Sequence, residues 1–217
     1  VADASPFDLL AERYDRWFDR HAAAYRSELL AVRALTPVDG VGLEIGVGSG
    51  RFAAPLGVAF GIDPARRLLG RAQRRRVSVA RAVAEALPFA AGTFDYALVV
   101  TTICFVDDPA AILEEARRVL RASGDLVIGF IDRTSALGRH YLAHRDEAGA
   151  RDGWGVFYRD ARFFSAVEVE ELLVRAGFRD HAWVQTLSRP PAGMRSIEPA
   201  RPGRGSGAFL AVRASKG

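Results

Sequence analysis

Three observations predict an α/β fold: a three-layer, doubly wound sheet of seven strands, six parallel and the last antiparallel. Between residues 41 and 131 short apolar segments alternate with helical ones of about 10–12 residues, the pattern of βαβ units. The first apolar segment runs directly into a glycine-rich turn, Gly46-Val47-Gly48-Ser49-Gly50. Two further apolar segments, 178–187 and 207–214, have no crossover helix between them and are expected to pair antiparallel.

The elements follow in order. In residues 4–35, Tyr14, Trp17, Phe18, Tyr25, Leu29 and Val32 recur at helical spacing, which predicts one or two helices forming an N-terminal cap. Thr36, Pro37, Asp39 and Gly40 end that cap. A first strand is expected at 41–45 and a second ending at Asp63, with Pro64 placed to start a helix over 65–75. Strands at 77–82 and 94–100, a helix at 109–120 and a fifth strand at 124–131 complete a cofactor-binding core, 40–131. Residues 132–165 are polar and irregular and too long for a plain connection, so they are expected to form a substrate wall beyond the fifth strand. Ser165, with Glu168 three residues on, predicts a capped helix over 166–176 that Gly177 stops. The helix and the final strand pair make up 166–214, and 1–217 reads as a single domain.

Composition narrows the function classes. With one cysteine, no disulfide can form within the chain, and a thiolate metal site is excluded; no metal site is expected. No apolar run approaches the roughly 20 residues of a membrane span, and the first residues lack a basic start followed by an apolar stretch, so a cytoplasmic protein is expected. The formal charge is +4. The arginines of 66–81 read as a solvated helix face rather than a nucleic-acid surface, because no zinc-finger spacing or RNA-binding aromatic pattern accompanies them. The expected partner is a small molecule, and the chain is expected to be a monomer or homodimer.

The chemistry concentrates at Glu44-x-Gly46-x-Gly48-x-Gly50. Side chains at Gly46 and Gly48 would obstruct a ligand at the carboxyl edge of the sheet. Glu44 would repel a pyrophosphate but could orient loop amides or accept a hydrogen bond from an ammonium group. Asp63 ends the second strand 19 residues later, where a carboxylate can accept both hydroxyls of a ribose. A nucleoside with a cationic amino-acid arm fits this set better than a dinucleotide.

GLEIGVGSGRF, GIDPA, AEALPFAAGTFDYALVV and RVLRASGDLVIGF together resemble the motifs of class I S-adenosylmethionine-dependent methyltransferases, a Rossmann-like family. Within it the chain is most similar to small proteins of the ubiquinone and menaquinone methyltransferase type. More narrowly it resembles a group of bacterial methyltransferases of undefined substrate that share ERYDRWF, VVTTICFVDDP, ARFFS and SIEPARPG. Glu44 stands where aspartate is commoner, and Ser123-Gly124-Asp125 replaces a proline-glycine-glycine turn.

The resemblance implies S-adenosylmethionine as cofactor and S-adenosylhomocysteine as product. It implies that Glu44, Gly46 and Gly48 surround the methionine arm, with Tyr14 or Arg51 at its carboxylate, and that Asp63 holds the ribose. Ala84, Glu85 and Leu87 fall at the adenine, and Thr101 at the cofactor backbone or the substrate. No catalytic residue is implied, since methyl transfer from a sulfonium is largely a matter of alignment. The aromatic residues of the wall, Tyr141 and Trp154 among them, suit a partly aromatic acceptor, and Arg133, Arg139 and Arg159 an acidic group on it. A cofactor-binding protein without turnover, a methyltransferase acting on a macromolecule and an NAD-dependent oxidoreductase are the alternative readings.

Overall fold

The computed structural model describes residues 5–144 and 155–217. One eight-stranded sheet runs through it in the order β3-β2-β1-β4-β5-β8-β6-β7. Its strands are β1 (Gly42–Ile45), β2 (Phe60–Asp63), β3 (Ser78–Arg81), β4 (Phe94–Val100), β5 (Leu120–Ile131), β6 (Phe178–Thr186), β7 (Arg201–Pro202) and β8 (Phe209–Lys216). The first five pair in parallel. β8 is inserted between β5 and β6 and is antiparallel to both, so β6 points the same way as β1–β5. This is the six-plus-one arrangement expected, with one addition: β7, two residues long, pairs antiparallel at the outer edge of β6. A two-residue strand containing Pro202 carries no readable alternation.

The helices cover both faces. The N-terminal segment folds as three helices rather than one or two: α1 (Ser5–Leu9), α2 (Ala11–Arg20) and α3 (Ala22–Arg33). α4 (Ala53–Leu56) and α5 (Arg66–Arg74) follow the first two strands, and α6 (Pro109–Val119) precedes β5. α7 (Ala136–His144) and α8 (Gly155–Tyr158) lie after β5, and α9 (Ala166–Arg175) leads into β6. Trp154 falls outside the described residues.

Strand alternation divides the core in two, as period-2 side chains must. Tyr96, Leu98 and Val100 of β4 pack with Val127, Phe209 and the α3 residues Ala31 and Val32. Ala97 and Val99 face the other way, onto Ile112 and Leu113 of α6 and Val169 and Leu173 of α9, and Phe94 joins them because the register shifts between it and Tyr96. Two helix starts are fixed by their sequences. Asp108 accepts from the amides of Ala110 and Ala111 with Pro109 in the first turn, and Ser165 and Glu168 form the expected reciprocal capping box.

The carboxyl ends of β1, β2 and β4 thereby meet beneath α1 and α2. This is the crevice where the strand order reverses, the position at which open α/β sheets bind ligands.

Candidate active site

The turn after β1 is built for close approach. Gly46, Gly48 and Gly50 all have positive φ (76°, 49° and 79°), which side chains adopt only under strain. A Cβ on Gly46 would come within 2.2 Å of Thr102 Oγ1, so that glycine is required by packing. A Cβ on Gly48 would stand 3.7 Å from the Tyr14 ring and 3.8 Å from Leu68, in ordinary van der Waals contact, so there the positive φ rather than packing asks for glycine.

Two carboxylates hold this turn. Asp63 Oδ2 accepts from the Gly48 amide at 2.9 Å and Oδ1 from the Ala65 amide at 2.8 Å. Burial raises its pKa to about 6 against those two hydrogen bonds. Glu44 is 1% exposed and lies behind the turn. Burial pushes its pKa well up, the Ala53 amide opposes this by donating to it, and Asp63 adds to the rise. Among the described residues its Oε2 has no hydrogen-bond partner.

Around these groups lies a cleft of about 710 Å³, its open mouth included. Tyr14, Gly46, Gly48, Asp63, Ala84, Glu85 and Thr101 line it, seven of the residues the sequence singles out. Phe7, Val83, Phe105 and Val106, which the sequence reading did not single out for this site, add apolar surface. Glu85 Oε1 also accepts from the Asp107 amide at 3.0 Å. Three other residues sit apart from the cleft. Glu44 acts on the turn from behind. Leu87 is buried in the core, its amide donating to Glu115 Oε2 at 2.7 Å. Arg51 turns its guanidinium to α2, binding Asp15 at 2.8 Å and Asp19 at 2.9 Å.

Asp15 was not visible as a site residue, yet it ties α2 to the turn. It is 6% exposed and accepts from Ser49 Oγ at 2.7 Å, from Arg51, from Arg75 at 3.0 Å and from Arg71 at 3.3 Å. Burial works against its ionisation, but the hydrogen bonds from Arg51, Arg75 and Ser49 hold its pKa well below the usual carboxylate range. Tyr14 is thereby fixed over Gly48. Its phenol is held protonated by burial and by the negative charges of Asp63 and Glu44.

A second, more enclosed chamber of about 440 Å³ adjoins the cleft and shares Tyr14, Thr101 and Phe105 with it. Its walls come from Trp17, Phe18, Ile131, Tyr141 and Tyr158, and Glu28 of α3 reaches it as well. Tyr141 stacks on Tyr158 with ring centroids 5.0 Å apart, and Tyr158 stacks on Phe105 at 5.5 Å. Thr101, between the two spaces, has φ of 51°, an outlier for a β-branched residue. Arg159 is exposed and lines a separate, open hollow beside Arg133 and Arg162. Arg133 pairs with Glu168 at 3.1 Å, and Arg139 donates to the Thr134 carbonyl. The arginines expected to meet an acidic acceptor thus lie outside the aromatic chamber.

Other candidate groups have local roles. The His140 and His144 rings lie 4.2 Å apart, tilted by 39°, and among the described residues no group of three His, Cys, Asp or Glu is placed to hold a metal ion. Cys104 is buried, its pKa pushed up to about 12 by desolvation. No helix among the described residues is long and apolar enough to cross a membrane.

Residues 43–128 match the family model described as Methyltransferase domain. The structure superposes with a TM-score of 0.92 on a Thermotoga maritima protein described as an SAM-dependent methyltransferase, possible histamine N-methyltransferase. The two are 45% identical, with 98% of each chain covered. An uncharacterized protein of Methanocaldococcus jannaschii is 39% identical over 210 residues, covering 97% of this chain and 98% of its own. An uncharacterized protein of Mycobacterium tuberculosis is 46% identical over 211 residues, 94% of this chain and 71% of its own. With the glycine turn, the acidic end of β2 and the reversed β8 all in the places this fold assigns them, the chain belongs to the class I S-adenosylmethionine-dependent methyltransferases.

Proposed function

We propose that the cleft receives S-adenosylmethionine and that the adjoining chamber receives a small, partly aromatic methyl acceptor. Segment 132–165 then serves as the acceptor wall of a single domain spanning 1–217. The observation that carries this reading is the pair of cavities meeting at Tyr14, Thr101 and Phe105, one floored by the glycine turn and the other walled by stacked rings.

The residues present fit the cofactor. Tyr14, Gly46 and Gly48 line the part of the cleft that would take the methionine arm, and Glu44 Oε2, without a hydrogen-bond partner among the described residues, lies behind that turn where it would favour a cationic arm. Each Asp63 oxygen keeps a lone pair after accepting one backbone amide, enough for two ribose hydroxyls. Ala84, Glu85, Val83 and Val106 form the slot for the adenine. The bound cofactor supplies a methyl group on a positively charged sulfur. The chain's own contribution is alignment and exclusion of water: Tyr14 covers the turn, Thr101 separates the two spaces, and the rings hold a planar acceptor in register.

Calorimetry is expected to give micromolar binding of S-adenosylhomocysteine and no comparable binding of NADH. Transfer of labelled methyl from the cofactor into metabolite fractions then identifies the acceptor. With it in hand, Tyr141→Ala and Tyr158→Ala should each lower turnover about tenfold or more with S-adenosylhomocysteine affinity within about threefold, whereas Arg159→Ala should change neither. Full turnover in both tyrosine variants would place the acceptor elsewhere.

A further inference from the structure

The chamber contains one group that neither the packing nor the cofactor accounts for. Glu28 is 4% exposed on the inward side of α3 and lines the chamber, yet among the described residues it makes no ion pair or hydrogen bond. The chain carries 30 lysine and arginine side chains, and the other buried acid of the N-terminal helices, Asp15, draws three of them. None of the described ones is turned to Glu28. Among the described residues the titratable groups placed against it are phenols: Tyr25 on its own helix, Tyr158 on α8, and Tyr14 and Tyr141 across the chamber. An apolar side chain would fill the space without the cost of burying an unpaired carboxyl. The carboxyl is retained in a box whose other walls are aromatic faces, and aromatic faces and a carboxylate attract the same class of guest, a cation on a planar or apolar frame.

We propose that Glu28 is the recognition carboxylate for the methyl acceptor, and that the acceptor is a basic amine on a planar or apolar frame. This rests on the chamber being the acceptor site. The ammonium donates to Glu28, the pairing relieves the unpaired carboxyl, and the rings contact the frame and the flanks of the charge. An acceptor bearing a carboxylate is disfavoured, because among the described residues no basic side chain lines the chamber to meet its negative charge.

The test is binding to the protein saturated with S-adenosylhomocysteine. Saturation itself checks the cofactor reading, so a failure there is separate from a failure of the proposal. Benzylamine and 2-phenylethylamine are compared with benzyl alcohol, 2-phenylethanol and phenylacetate by calorimetry and thermal shift. The amines should bind at least about tenfold more tightly than the alcohols, and phenylacetate should not bind. Glu28→Gln should remove the amine preference and leave S-adenosylhomocysteine affinity within about threefold. Equal binding of amines and alcohols, binding of phenylacetate, no binding of either amine, or an undiminished amine preference in a folded Glu28→Gln variant would each overturn the proposal. If Glu28→Gln does not fold, the comparison on the unmodified protein decides alone.

Discussion

Asp63 and Glu28 are both buried acids whose pKa burial raises, but only Asp63 stands in a motif of the sequence. Asp63 ends a strand ahead of Pro64, a position at which a carboxylate has a recognisable task. Its replacement by alanine should weaken S-adenosylhomocysteine binding more than tenfold, a loss of about 1.5–3 kcal/mol, because one or two hydroxyl hydrogen bonds go unmade. Calorimetry giving unchanged affinity would take Asp63 out of the site. For Glu28 the measurable quantity is stability against pH. Its pKa rises from an ordinary 4.5 to about 8, so between those values the folded protein keeps a proton that the unfolded chain releases. Stability therefore falls as pH rises through that window, by roughly 5 kcal/mol from this group alone. Asp63 acts in the same direction up to about pH 6. In urea denaturation Glu28→Gln should match the unmodified protein near pH 5 and exceed it at pH 9; parallel curves would mean that Glu28 is not buried as a neutral acid.

α2 is the element that the sequence half reveals. Its aromatic spacing marks a helix with a buried face, and Tyr14 and Phe18 do lie on it. Asp15, between them, reads as a solvent residue because nothing local indicates that Ser49, Arg51, Arg71 and Arg75, brought in from the glycine turn and α5, converge on it. The same gap explains Arg51, whose place in the motif suggests a ligand contact while its guanidinium is taken by α2. A signal did exist. Glu28 falls three residues after Tyr25 and four before Val32, on the stripe those residues define, and a charged residue on an apolar stripe warrants a role. Asp15→Ala leaves three arginines without their buried partner, for a loss of about 3 kcal/mol. Hydrogen exchange should then quicken across α2, and S-adenosylhomocysteine should dissociate faster; unchanged exchange would show that the helix is held by packing alone.

The sheet as a whole was legible where alternation is regular, from β1 to β5, and at β6 and β8, whose antiparallel pairing follows from the missing crossover helix. β7 was not, and neither was the extension of β5 back to Leu120, since the Ser123 turn residues inside it mimic a loop. The decisive feature at this scale is β8. It supplies the partner for the whole edge of β5 from Asp125 to Ile131 and for β6 from Phe178 to Thr186. Shortening the chain after residue 206 should therefore remove cooperative unfolding altogether rather than trim a peripheral strand, as a loss of the urea transition followed by circular dichroism would report. A truncated protein with a sharp transition would mean that β1–β5 fold without it.

That placement gives the molecule a history as well as a shape. A ribosome extends the chain at about 5–20 residues per second, so several seconds separate the emergence of β5 from that of the strand that covers it. During that interval the edge of β5, flanked by Leu126, Ile128 and Phe130, is an open template for any passing strand, including the β5 of a neighbouring nascent chain. Natively, the neighbour of β5 on that side is made only after α7–α9, β6 and β7, so a stalled or slowed ribosome in this interval would leave a nascent chain prone to aggregate.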